Sequence, residues 1–248
     1  MGHTQITGHH VFDDKLRENF WRKARYCADR HTTGAPASVT YSTMVSWDSV
    51  RVLLTIAALN DVNILGADVQ NAFLTAPIKE KCWMIAGSEF GSEEGKTFLV
   101  VKALYGLKLA IFSFRSYLAE KLASMGFQSS TADPDVWLSA ATKSDGESYY
   151  EYVLMYVDDI LAIFCDAQAI LNEIQGTFKY KNDKIEAPEY YLRAKLQKKN
   201  LNSLQCWTIT SQDYVKVAVK NVEETIKKSS RRLPTSNIAT PINITFSP

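Results

Sequence analysis

Two short apolar runs flank a pair of acidic residues, and this arrangement constrains the fold more than any other part of the sequence. The runs, residues 152–155 and 160–164, enclose Tyr156-Val157-Asp158-Asp159. Both runs are rich in β-branched or aromatic residues and are short enough to be strands. We therefore predict a β-hairpin with the acidic pair at its turn.

Helical and strand patterns alternate over the rest of the chain, which favours an α/β (α+β) fold. Apolar residues recur at helical spacing in three segments, namely 48–60, 111–125 with Gly126 as the C-terminal cap, and 167–178. Residues with strand character fall at 37–45, 62–69, 81–85 and 97–102. From residue 231 the chain is rich in Pro, Ser, Thr and Asn, which predicts an extended linker.

Composition excludes two classes of protein. The chain has 248 residues, of which 46% are hydrophobic and 22% charged, as in ordinary globular domains. No stretch approaches the ~18 apolar residues that a membrane span needs, and residues 1–10 lack the apolar core of a signal peptide. The four cysteines form no CxxC pair, so we expect free thiols in a reducing compartment.

Charge is unevenly distributed along the chain. Residues 179–232 contain thirteen Lys and Arg against six Asp and Glu, whereas the remainder contains fifteen against twenty-one. A basic segment attached to an acidic body suits a protein that contacts phosphates with one part and holds a metal with another. A solvated lysine-rich helix is the alternative explanation, and charge alone leaves both open.

The acidic pair has two explanations when it is considered alone. Asp favours turns, so Asp158 and Asp159 fit a solvated turn. Asp68 favours a second explanation, because it ends another apolar strand 90 residues upstream. Carboxylates from two strand ends brought side by side would form an oxygen-only site of the kind that suits Mg²⁺.

Three ordered motifs carry a resemblance to a known family. They are Asp68-Val69-Gln70-Asn71-Ala72-Phe73-Leu74, Lys102-Ala103-Leu104-Tyr105-Gly106-Leu107-Lys108 and Tyr156-Val157-Asp158-Asp159. They resemble the DVxxAFL, ALYGLK and YxDD motifs of copia-type LTR retrotransposon reverse transcriptases. The resemblance extends from about residue 11 to about residue 222.

This resemblance implies a right-hand polymerase palm with fingers and a partial thumb. It divides the chain into an N-terminal fingers segment (1–50), fingers and palm with the catalytic motifs (51–178), a basic palm end and start of the thumb (179–230), and a linker tail (231–248). The implied activity is RNA-directed DNA synthesis on an RNA or DNA template with a primer, using deoxynucleoside triphosphates. Two Mg²⁺ ions, or Mn²⁺ in their place, are the implied cofactors.

The resemblance also implies where the chain works. It would be a fragment of a polyprotein, located in a cytoplasmic virus-like particle or the nucleus, neither secreted nor membrane-bound. The sequence leaves the oligomeric state open.

The matched motifs assign roles to individual residues. The implied catalytic triad is Asp68, Asp158 and Asp159, with the backbone carbonyl of Val69 as a further metal ligand. The implied nucleotide-binding residues are Phe73, Tyr105, Gly106, Arg22, Lys23 and Arg25. The implied primer contacts are Tyr156 and Val157. The basic charge of residues 179–232, rather than a matched motif, predicts primer and template contacts at Lys195, Lys198 and Lys199. Core packing is the alternative role for Phe73, and an exposed basic turn is the alternative for the three fingers cations.

The sequence departs from the family pattern at three places. Ile111 stands where the family has proline, residues 27–31 lack the expected glycines, and Arg193 replaces the glycine of a Tyr-Leu-Gly turn. These departures favour a catalytically weak or inactive remnant that at most binds nucleic acid. A different metal-dependent palm enzyme, such as a nucleotide cyclase, is the third hypothesis, but it gives no role to residues 104–108.

Overall fold

Strands and helices alternate in the computed structural model, which describes residues 3–15, 21–29, 44–192, 194–201 and 204–229. The strands are β1 (Thr4–Gln5), β2 (Gly8–Lys15), β3 (Trp21–Ala28), β4 (Asn63–Asp68), β5 (Pro77–Ile85), β6 (Thr97–Lys102), β7 (Gln128–Ser129), β8 (Val136–Thr142), β9 (Ser148–Tyr156), β10 (Asp159–Phe164), β11 (Tyr190–Tyr191), β12 (Ala194–Leu201) and β13 (Leu204–Thr210). The α-helices are α1 (Trp47–Leu59), α2 (Ala72–Thr75), α3 (Ala110–Ser124), α4 (Ala167–Gln175) and α5 (Gln212–Lys228). The α+β class predicted from the sequence is confirmed.

The two apolar runs are neighbouring strands of a five-stranded antiparallel sheet with the order β4-β10-β9-β8-β7. β9 and β10 form the predicted hairpin, and β4 pairs with the other edge of β10. From Ile160 to Phe164 β10 is buried on both faces, which explains why its sequence is a continuous apolar run. Because β10 lies between β4 and β9, its first residue, Asp159, leaves the core beside the end of β4.

Helices α3 and α4 cover one face of this sheet. Phe114 and Leu118 of α3 and Leu171 of α4 belong to the same buried cluster as Ile160 and Phe164 of β10. The three segments predicted as helices are confirmed, although α4 ends at Gln175 rather than at residue 178. Beyond that end the chain turns back toward the sheet.

Local sequence explains where two helices begin. The Ser46 side chain accepts a hydrogen bond from the Ser49 backbone N–H at the start of α1. The Asp166 carboxylate accepts one from the Ala169 N–H at the start of α4. Such N-cap bonds satisfy backbone donors that have no partner within the helix.

A second sheet, with the order β1-β5-β6, has its own buried cluster. β5 and β6 contain the predicted strands 81–85 and 97–102. β2 and β3 form a separate two-stranded hairpin, which the sequence did not reveal.

The chain divides into two compact units, Met1–Pro188 and Glu189–Pro248. The described part of the second unit contains the three-stranded sheet β11-β12-β13 and helix α5, none of whose residues is buried. The strand predicted at 37–45 extends mostly over residues 37–43, which lie outside the described residues, as do the predicted linker and Arg193. The division into fingers, palm, start of the thumb and linker tail that the resemblance implies remains a prediction. None of the helices in the described ranges is both long and apolar enough to cross a membrane.

Candidate active site

The β9–β10 turn places the acidic pair at one end of the five-stranded sheet. Tyr156 and Asp159 are paired across the hairpin, so Val157 and Asp158 form the tip of the turn. Val157 has φ of 53°, a left-handed conformation that is rare for a β-branched residue. Such strain persists only where the surrounding structure holds it, and here residues 153–155 and 160–164 of the flanking strands are buried.

Asp68 lies directly beside this turn. In the β4–β10 ladder Asp68 is the Cα partner of Asp159, and neighbouring strands lie about 4.8 Å apart. The Val69 backbone N–H donates to the carbonyl oxygen of Asp158 at 2.8 Å, so the ladder continues one step past the strand ends. The structure therefore brings together the three predicted catalytic residues from positions 90 residues apart.

Burial, with added repulsion from neighbouring acids, raises the pKa of two of these carboxyl groups. Burial, followed by the charges of Asp158 and Asp68, raises the pKa of Asp159 to about 7. Partial burial is also the main cause that raises the pKa of Asp158, and the Asp68 charge adds to it. Charge accumulation of this kind favours protonation or a bound cation.

A lysine that the sequence analysis did not identify partly neutralises the cluster. Lys181 donates from its Nζ to Asp68 Oδ2 at 2.9 Å. The hydrogen bond to Asp68 is the main cause that raises the pKa of Lys181. The one sequence signal was the alternation of apolar Phe178 and Tyr180 with Lys179 and Lys181, which indicates an extended stretch with its cations on one side.

The chemistry of these donors fits a hard divalent cation, because all three are carboxylates. Among the described residues no set of three or more His, Cys, Asp or Glu side chains is arranged to hold a metal ion. The acids are thus adjacent through backbone pairing, but their side chains do not form a closed cage.

An aromatic pair and a cation lie together in the first unit. The Phe73 and Tyr105 rings have centroids 5.0 Å apart, and the Arg25 guanidinium carbon lies 5.6 Å above the Tyr105 ring. Burial is the main cause that raises the pKa of Tyr105, and Arg25 opposes this rise. Phe73 is partly buried against both hydrophobic clusters of the first unit. Three predicted nucleotide-binding residues are therefore neighbours.

Gly106 sits where no other residue fits. Its φ is 87°, and an added Cβ would lie 2.0 Å from the carbonyl oxygen of Ala28. The Ala28 N–H donates to the Tyr105 carbonyl at 2.7 Å, which holds the end of β3 against this loop. The glycine of the Tyr105-Gly106 motif thus permits close backbone contact with the strand that carries Arg25.

The other two predicted cations also lie on β3. The positive charge of Lys23 is one of the causes that oppose the rise in the pKa of Asp158. Lys23 therefore interacts electrostatically with the acidic site. Arg22 belongs to β3 through its backbone, and its side chain lies outside the described residues.

The position where the family has proline lies near the β9–β10 turn. Ile111 is in the first turn of α3 and lines a depression together with Met155 and Val157. At the side of this depression Asp135, which is 1% exposed, pairs with Arg115. The departure at Ile111 therefore lies beside a residue predicted to contact the primer.

The three predicted template lysines belong to the second unit. Strand alternation places Lys195 and Lys199 on one face of β12 and Lys198 on the other. Lys195 lies 3.4 Å from Glu189 Oε1, whereas Lys198 and Lys199 are exposed and have no ion-pair partner among the described residues. The three lysines therefore differ in their electrostatic surroundings, which the sequence pattern did not reveal.

The chain belongs to the family described as "Reverse transcriptase (RNA-dependent DNA polymerase)", whose model matches residues 2–235. It is 30% identical over 158 residues to the retrovirus-related Pol polyprotein from transposon RE1 of Arabidopsis thaliana. It is 28% identical over 138 residues to the corresponding polyprotein from transposon TNT 1-94 of Nicotiana tabacum. These matches cover 62% and 55% of the chain but only 10% of each relative, so the chain spans about a tenth of their length. The predicted copia-type reverse transcriptase class is confirmed.

Proposed function

We propose that this chain is the polymerase core of a retrotransposon Pol polyprotein and transfers deoxynucleotides to a primer 3′-hydroxyl under the direction of an RNA or DNA template. The observation that carries the proposal is the pairing of Asp68 with Asp159 beside the Asp158 turn. In this proposal the five-stranded sheet with α3 and α4 is the palm, and the β2–β3 hairpin with the β1-β5-β6 sheet forms fingers. The second unit begins the thumb.

Asp68 and Asp158 would be the principal metal ligands, with Asp159 as the outer acid and the Val69 carbonyl as a further ligand. Two bound Mg²⁺ ions, or Mn²⁺, would supply activation of the primer hydroxyl and charge stabilisation of the departing pyrophosphate. The protein residues contribute position, because the ladder fixes the strand ends that carry the acids. The raised pKa of Asp159 supports this role, since a carboxyl that is costly to ionise alone gains from a nearby cation.

The Phe73–Tyr105 pair would form the floor of the nucleotide pocket. Phe73 follows Asp68 by five residues at the start of α2, after Asn71 in a left-handed conformation. A ring in this place would clash with a ribose 2′-hydroxyl, and Arg25 and Lys23 would balance charge on the triphosphate. Arg22 would join them. Tyr156 and Val157 would support the primer terminus at the turn.

Primer extension on an RNA template with Mg²⁺ tests the proposal. If the native chain extends the primer, Asp158→Asn should lower that extension by about 10²-fold or more, because one charge-stabilising ligand is removed. The matched control is Asp145→Asn, which changes an aspartate in the turn of the neighbouring β8–β9 hairpin whose carboxylate accepts a hydrogen bond from the Glu147 N–H. Equal extension by the native chain and Asp158→Asn would refute the site. No extension by a folded native chain would favour the inactive-remnant alternative.

A further inference from the structure

Lys181 is held beside the catalytic acids by the backbone, while its side chain remains free to move. Val69 and Tyr180 form an antiparallel bridge, and the Gln70 N–H donates to the Lys179 carbonyl at 2.8 Å. Tyr180 is fully buried, and its hydroxyl donates to the Leu171 carbonyl at 2.8 Å. These contacts fix the start of the Lys181 side chain next to the end of β4.

The side chain itself is weakly held. It is 51% exposed, and its Nζ donates a hydrogen bond of 2.9 Å to Asp68 Oδ2. Asn182 and Asp183 follow in left-handed conformations, with φ of 57° and 52°, so the chain turns away immediately after Lys181. The flexible four-carbon stem can therefore leave Asp68 without disturbing the buried core.

The ammonium group and a divalent cation would compete for the same oxygen. Lys181 brings one positive charge to the acidic site, and its Nζ donates directly to Asp68 Oδ2. A metal ion that uses this oxygen must displace Nζ. The cost of that displacement reduces the affinity of the site for the metal.

We propose that Lys181 is a tethered counter-cation, which occupies Asp68 in the metal-free protein and sets the divalent-metal concentration at which the site fills. The inference rests on the proposed function, since it takes Asp68 as a metal ligand. Lys181 would thus be a positioning residue, which acts on the metal only through its bond to Asp68. In this account the lysine stabilises the clustered acids until the metal replaces it.

Mn²⁺ binding to the metal-free chain, followed by electron paramagnetic resonance of the free ion, measures the competition without any need for activity. Lys181→Met should bind Mn²⁺ about threefold to tenfold more tightly, the gain expected when an exposed ion pair and a nearby positive charge are removed. Lys181→Arg retains the charge and should remain close to the native affinity. Lys184→Met is the matched control, because it removes an exposed lysine charge three residues away that lies 3.8 Å from Glu186 Oε2.

A second readout reports the displacement directly. The ¹⁵N signal of the Lys181 ammonium group should show hydrogen bonding in the metal-free chain, and it should change to that of a free lysine as Mg²⁺ is added. The Lys184 signal should not change. This measurement needs only the native chain, so it tests the inference even if Lys181→Met does not fold.

The outcomes separate the inference from the proposed function. Unchanged or weaker Mn²⁺ binding in folded Lys181→Met, or a Lys181 signal that Mg²⁺ does not alter, would overturn the counter-cation role. If one of these results is obtained and Asp68→Asn nevertheless loses Mn²⁺ binding, only the counter-cation role is refuted and the metal site is supported. Mn²⁺ binding that persists unchanged in Asp68→Asn and Asp158→Asn would overturn both.

Discussion

The acidic site of the first unit and the β12–β13 hairpin of the second unit, the basic hairpin, which carries Lys195, Lys198 and Lys199, are built in opposite ways. Asp68 and Asp159 leave strands whose apolar residues are buried, and their alignment follows from a ladder of backbone hydrogen bonds. Lys198 and Lys199 project from a strand whose neighbouring helix α5 has no buried residue. Packing thus fixes the position of groups that must meet at one point, whereas groups that contact a phosphate backbone need only be near it.

This difference predicts that substitutions near the acidic site have large effects on stability and chemistry. Substitutions on the basic hairpin should instead have small effects that depend on salt. Three variants test the comparison in decreasing order of expected effect, and a pH titration tests it separately.

Gly106→Ala should have the largest effect on stability. Its Cβ would meet the Ala28 carbonyl oxygen, and its φ is positive. Gly126→Ala is the matched control, since Gly126 has φ of 90° but nothing within 4 Å of the added Cβ. We expect Gly126→Ala to cost about 1 kcal/mol and Gly106→Ala to cost about 2 kcal/mol more, measured by urea unfolding. Equal losses would show that the backbone contact at Gly106 is not tight.

Phe73→Val should increase the incorporation of ribonucleotides relative to deoxynucleotides by about tenfold. A change of a few side-chain atoms in a pocket typically alters discrimination between substrates on this scale. The measurement is the ratio of incorporation efficiencies with each nucleotide in primer extension. Phe112→Val, at a ring near Lys79 rather than Tyr105, is the control. An unchanged ratio in a folded Phe73→Val variant would return Phe73 to a role in core packing alone.

The stability of the metal-free chain should fall as the pH rises from about 4 through about 7. The pKa of Asp159 in the folded chain is about 7, above its value in the unfolded chain, so the folded chain binds the proton more tightly and loses that advantage as the group ionises. Each pKa unit of difference contributes about 1.4 kcal/mol. Asp159→Asn should flatten this part of the pH profile, and Asp145→Asn should not. Identical profiles for the native chain and Asp159→Asn would contradict the assignment.

Lys198→Gln with Lys199→Gln should have the smallest effect and leave stability unchanged. Each phosphate contact contributes about −0.9 to the slope of log affinity against log salt on duplex, so the double variant should flatten the slope by up to about 2. Lys195→Gln should change it less, because Lys195 already faces Glu189. Lys96→Gln, in the first unit and paired with Glu93, is the control. A slope unaltered by the double variant would make β12 a solvated surface.

The sequence predicted the parts of the site that depend on regular structure. The apolar runs beside Tyr156 and Asp159 predicted the hairpin, and the motif at Asp68 predicted which strand would lie next to it. Lys181 was missed because the only sequence signal is a short alternation over residues 178–181, which ends at the left-handed residues Asn182 and Asp183 and does not reveal the contact with Asp68. The unequal environments of Lys195 and Lys198 were missed because Glu189 meets Lys195 only after β11 and β12 pair.

The resemblance and the structure contribute different things to the account. The motifs at residues 68–74 and 102–108 implied the roles of Phe73 and Tyr105, and the structure places their rings together. The departure at Ile111 lies in the first turn of α3, where a helix accepts proline, so the family residue is compatible with this backbone. The departure at Arg193 lies outside the described residues, and the weak-polymerase hypothesis stays a prediction.

Affinity cleavage by bound Fe²⁺ tests most directly whether Asp68, Asp158 and Asp159 share a metal site. Fe²⁺ with ascorbate and peroxide generates radicals that cut the backbone close to the ion, and mass spectrometry locates the cuts. The account predicts cuts near residue 68 and near residues 158–159, suppressed by excess Mg²⁺ and absent from an Asp68→Asn, Asp158→Asn double variant. Cuts confined to other parts of the chain, or cuts at these positions that persist in the folded double variant, would contradict it.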